Sequence, residues 1–152
     1  MVHISEAYKP QPAIDPRLQP QAAERQLLEQ LWHAGRLQRH LAALERFYRE
    51  KRDEFMQLLD TTSDNEEIIQ IAKYLVAQNG IVDRLAETLD QIKEIESEIW
   101  IQGEVGNHDR EKIAQEWTLR HARAWREWRI KEYLYAVEHM EAQLAECLQQ
   151  AS

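Results

Sequence analysis

The chain has 152 residues, with 27 acidic against 19 basic side chains for a net charge of −8. With 43% hydrophobic and 30% charged residues, it has enough apolar surface to bury a core, which excludes a wholly disordered polyelectrolyte. The single cysteine, Cys147, excludes an internal disulfide framework, and no run approaches the ~20 consecutive apolar residues of a membrane-spanning helix.

All four prolines (Pro10, Pro12, Pro16, Pro20) lie in the first 20 residues. Proline lacks an amide donor and disfavours helix in the residue before it, so residues 1–20 read as an extended arm. That arm is either a loose tail or a strap that packs through Ile4, Tyr8 and Ile14. Beyond it the only breakers are Gly35, Gly80, Gly103 and Gly106, and the richness in Glu, Gln, Leu, Ala and Arg predicts helix throughout residues 21–152.

A first helix is expected over about 21–59. Leu27, Ala34, Leu37, Leu41, Leu44, Tyr48, Phe55 and Leu58 follow steps of three and four, which line up on one helical stripe. The stretch DTTSDNEE interrupts the pattern, and Ser63 with Glu66 or Asp64 with Glu67 has the spacing of a capping box. A second helix follows over about 65–102, with Ile68, Ile71, Leu75, Gln78, Val82, Leu85, Leu89, Ile92, Glu96 and Ile99 in step. Asn79–Gly80 is a turn signal, but the heptad phase is the same on both sides of it, which favours one continuous helix. A break at Gly80, giving four helices, is the alternative.

GEVGNHD ends that helix, and Asn107 or Asp109 can cap a third over about 109–149. Ile130, Leu134, Val137, Leu144 and Leu148 form one stripe of it. Ile113, Trp117, Ala124, Trp128, Tyr135, Ala142 and Ala145 form another. Short loops impose antiparallel neighbours, and a 3.5-residue period imposes a left-handed supercoil. The expected fold is therefore all-α: an elongated antiparallel three-helix bundle in one unit, coiled-coil-like, with an extended proline-rich N-terminal arm.

Motifs for chemistry are sparse. No Glu-x-x-His pair, His-Glu-x-x-His, glycine-rich phosphate loop or G-x-S-x-G occurs. Neither a metal nor a cofactor is expected, and the chain does not read as an enzyme. Glu96, on a core position, is expected to be exposed or paired with an arginine of the third helix.

Charge is segregated along the chain. Residues 61–104 hold ten acidic and three basic side chains, whereas residues 110–131 hold seven basic and three acidic. Within the basic stretch, RHARAWREWRIK, the four arginines wind half around the helix. Trp125 lies off the core stripe and next to Arg129 at i+4, so it is the tryptophan expected to be exposed. Arginine beside exposed tryptophan is the composition of a protein-interface hot spot. It is also that of a single-strand platform, where bases stack and phosphates pair.

The acidic balance favours a protein partner over nucleic acid. The sequence reading is thus a cytoplasmic, non-catalytic adaptor, assembly factor or inhibitor. Arg123, Trp125, Arg126 and Arg129 form its candidate docking surface, with Trp32 and His33 as a second patch. Trp32, Phe47, Trp125 and Tyr133 exceed one bundle seam, and a homodimer would cover them.

Overall fold

The computed structural model describes residues 13–149. The expectations that rest on Ile4 and Tyr8 lie outside the described residues. Within them the chain folds into seven α-helices and no strand: α1 (Ala22–His33), α2 (Arg39–Glu50), α3 (Arg52–Leu58), α4 (Asn65–Asn79), α5 (Arg84–Glu104), α6 (Arg110–Val137) and α7 (Glu141–Gln149). A 3-10 turn at Pro16–Leu18 precedes them and packs on α6. None of these helices is long and apolar enough to cross a membrane.

The all-α expectation holds, but each of the three long helices is interrupted. The expected helix over 21–59 is cut twice. At its first break Gly35 sits at φ +75°, the Gly35 amide donates to the Trp32 carbonyl (3.0 Å) and the Arg36 amide to the Leu31 carbonyl (2.9 Å). These two bonds are the Schellman closure, which satisfies carbonyls that a helix end leaves open. At its second break Lys51 alone separates α2 from α3.

The expected helix over 65–102 is broken at Gly80, which adopts φ +78° and caps α4, while the Asp83 carboxylate accepts from the Ala86 amide (3.0 Å) and opens α5. The heptad phase was a poor guide here. The connector from Gly80 to Asp83 is as long as one four-residue step of the pattern, so the spacing survives while the chain is re-aimed. The helix over 109–149 is interrupted at Glu138–Met140 by three successive i→i−3 backbone bonds. Of the alternative caps, Asp64 and Asp109 are the ones used, accepting from the Glu67 (2.9 Å) and Lys112 (3.2 Å) amides. Gly106, at φ +91°, closes α5 with a second Schellman pair.

The main core lies between α2, α3, α4, the C-terminal half of α6 and α7, where Leu44, Phe55, Val76, Val137, Met140 and Leu144 are fully buried. Tyr48, also buried there, donates its hydroxyl to the Ala72 carbonyl (2.7 Å) and so leaves no polar group unpaired. Phe47 and Tyr133 belong to this core rather than to a surface patch. A smaller cluster of Leu28, Leu37 and Tyr135 seats α1 on α6, with Ile14 buried alongside the N-terminal turn.

The helix α6, 28 residues long, spans about 42 Å at 1.5 Å per residue. Only its C-terminal part enters the main core. Its N-terminal half pairs antiparallel with α5, which packs extensively on no other helix. The two form an arm whose inner seam includes the buried Ile113 and Trp117.

Candidate functional site

Where the arm joins the body, an open cleft of about 610 Å³ is lined by Leu31, Arg36, Arg39, Glu94, Trp125, Trp128, Arg129 and Glu132. Four elements build it, with α5 supplying Glu94 at the edge. The Schellman turn at Gly35 swings Arg36 and Leu37 out of the line of α1. The start of α2 supplies Arg39, and α6 supplies Trp125, Trp128, Arg129 and Glu132 on consecutive turns.

Arg129 organises the site. Only 6% of it is exposed. Its Nη2 donates to Asp90 Oδ2 at 2.7 Å, and its Nε lies 3.3 Å from Glu132 Oε1. Its guanidinium stands over the Trp125 ring, 4.6 Å from the centroid, the geometry in which a cation meets the negative face of an aromatic ring. Asp90 also pairs with Arg39 Nη1 (3.0 Å), and Glu132 Oε1 with His40 Nε2 (2.8 Å). Two carboxylates and three cationic or imidazole groups thus close a network across α2, α5 and α6.

Burial opposes ionisation of the Asp90 carboxyl, but the hydrogen bonds and charges of Arg129 and Arg39 outweigh it and hold Asp90 below the usual carboxylate range. Burial likewise works against the Arg129 charge, and Asp90 and Glu132 more than restore it. On the far side, Tyr133 Oη lies 3.5 Å from Glu87 Oε2, and that carboxylate accepts from the Val82 (3.1 Å) and Asp83 (3.0 Å) amides at the start of α5. No buried side-chain nitrogen or oxygen among the described residues lacks a partner.

The candidate docking residues fall into different environments. Arg129 is an interior residue, not a surface one. Trp125 is half-buried beneath it, and the tryptophan exposed on the surface is Trp100. Arg126 is exposed and has no ion pair among the described residues, and Arg123 is exposed beside Glu127 at 3.3 Å. Trp32 is half-buried and stacked on the His139 ring at 4.2 Å, so the second patch is largely satisfied within the chain. His33 is exposed, 3.8 Å from Glu29.

The structure joins Trp125 and Arg129 to Arg36, Arg39, Trp128 and Glu132, which sequence reasoning did not group with them. Gly35 was the available signal, since a glycine inside a helical stripe marks a place where the chain can turn and bring new side chains alongside. The expectation for Glu96 holds: it pairs with Arg110 of α6 at 2.9 Å. No group of three or more His, Cys, Asp or Glu side chains among the described residues converges as metal ligands. No protein-family model, curated protein or solved structure matches this chain.

Proposed function

We propose that this chain is a non-catalytic interaction protein, an adaptor, assembly factor or inhibitor, that docks a protein partner in the cleft between the α1–α2 turn and α6. The observation that carries this reading is the make-up of the cleft. Trp125 and Trp128 offer aromatic surface, and Arg36 lines the same cleft with its guanidinium unpaired among the described residues. Tryptophan and arginine in a partly desolvated pocket are the residue types that dominate binding energy at protein interfaces. Arg129 acts as a positioning residue: it holds Trp125 from above and is itself fixed by Asp90 and Glu132. A partner segment with an acidic group for Arg36 and an apolar side chain for the tryptophans fits this cleft.

The single free thiol, Cys147, fits a reducing compartment, and a cytoplasmic location is part of this proposal. The competing reading, nucleic-acid binding, loses support once Arg129 is internal, although Arg123 and Arg126 keep their exposure.

The test uses tryptophan fluorescence and partner capture together. Proteins retained by the wild-type chain and lost with Arg36→Glu or Trp128→Ala, at unchanged helical content, support the cleft. Retention that is the same for all three chains overturns it. Fluorescence quenching by short oligonucleotides at about 50 mM salt that vanishes at about 200 mM, as phosphate contacts require, would favour nucleic acid instead.

A further inference from the structure

The helix α5 carries the regular heptad pattern, and its apolar stripe faces away from α6. Leu85 is 69% exposed, Leu89 50%, Ile92 48% and Trp100 68%. The side turned to α6 holds instead Glu87, Gln91, Ile95, Glu98 and Gln102, all buried or half-buried. The exposed four share one face over about 22 Å of helix. Together they leave roughly 500 Å² of side-chain surface open in two parts, Leu85–Leu89–Ile92 and Trp100, with Glu96, paired to Arg110, between them on the same face.

We propose that two copies of the chain associate through this stripe, each α5 lying against α6 of the other copy, so that two arms complete a four-helix bundle. Two observations select a second copy as the occupant. First, the arm is half a bundle. Two helices share a thin seam while a second stripe in three-four spacing stays open, and a four-helix bundle supplies each helix with two such seams. Second, the arm is self-complementary in charge.

The helix α5 has six acidic and two basic residues, and residues 110–126 of α6 have five basic and two acidic. Placing α5 on α5 would oppose like charges. A two-fold axis along the arm puts each acidic helix between its own basic helix and that of the partner. On α6, Arg120 and Arg126 are exposed and form no ion pair among the described residues, and on α5 the exposed Glu104 is equally free. With such a polar rim around the apolar stripe, the surface approaches the ~800 Å² per partner of a standard interface.

Sedimentation equilibrium of the full chain tests this. At about 50 µM the wild type is expected at twice the chain mass, with association falling several-fold as salt rises from about 50 to 500 mM, since the rim charges are screened. Leu89→Glu with Ile92→Glu is expected at the single-chain mass with unchanged far-UV circular dichroism. Trp100→Glu lies at the end of the arm remote from the main core and is expected to do the same. A wild type that stays at the single-chain mass at about 200 µM overturns the proposal, as does a dimer that survives both variants. The cleft variants Arg36→Glu and Trp128→Ala are expected to leave the mass unchanged, so failure of the dimer and failure of the cleft read out separately.

Discussion

Arg129 shows how one side chain can look like a surface feature in sequence and be an organising interior residue in the fold. A guanidinium that is only 6% exposed is tolerable because two carboxylates and a ring face share its charge. Removing it would leave Asp90 and Glu132 partly buried, though Arg39 and His40 would remain beside them. Arg129→Met should therefore destabilise the chain by about 3 kcal/mol, the low end of the cost of breaking a buried pair. Asp90→Asn should cost less, since it keeps a hydrogen-bond acceptor for both arginines. Urea unfolding followed by circular dichroism checks both, and a change below about 0.5 kcal/mol for Arg129→Met, the scale of an ordinary surface substitution, would show the network to be dispensable.

At the scale of the element, Gly80 separates two accounts of the same stretch by sign. In a continuous helix, Gly80→Ala would stabilise by about 1 kcal/mol through helix propensity. Here Gly80 is the left-handed cap of α4, with φ +78° and nothing within 4 Å of the position a Cβ would take. There is no clash to relieve, so the backbone cost alone acts, and Gly80→Ala should destabilise by about 1–2 kcal/mol. Thermal or urea unfolding of the variant decides between them.

The same position shows why part of the fold was legible and part was not. Stripes such as Leu44–Tyr48, Ile71–Leu75 and Ile130–Leu134–Val137 are read correctly because burial on one face leaves a period in the sequence. Leu85, Leu89 and Ile92 have that period too, yet they are exposed, because periodicity reports that a face is apolar and not what covers it. The cleft was half legible. Trp125 and Arg129 are neighbours on one helix, whereas Arg36, Arg39 and Asp90 reach them only after the turns at Gly35 and Gly80.

For the whole molecule, ion pairs between helices distant in sequence join the body to its outer helices. Lys131 of α6 holds Glu24 of α1 (2.7 Å), and Glu138 receives both Arg25 of α1 (2.8 Å) and Lys73 of α4 (2.8 Å). The hydrogen bond from Lys131, then that from the Gln21 amide, holds Glu24 below the usual range. Burial raises Glu138, but Arg25 and Lys73 outweigh it, and its carboxyl too titrates below the usual range. Asp90 shares this direction.

A carboxyl whose pKa is lower folded than unfolded binds fewer protons in the native state. Its contribution to stability is complete above the unfolded value and is lost as pH falls through the folded one. Because three such groups, on α1, α5 and just after α6, act in the same direction, their joint contribution to stability should be complete from neutrality down to about pH 5 and then drop as pH falls below the ordinary carboxylate range near 4. The Asp90→Asn variant should show a shallower acid limb, having one such group fewer. Unfolding free energies measured by urea from pH 7 to about 2.5, a span that brackets the ordinary carboxylate values, check both statements. A limb equally steep in the variant would assign the acid sensitivity to Glu24 and Glu138, and hence to the docking of α1 and α4 on α6 rather than to the junction of the arm.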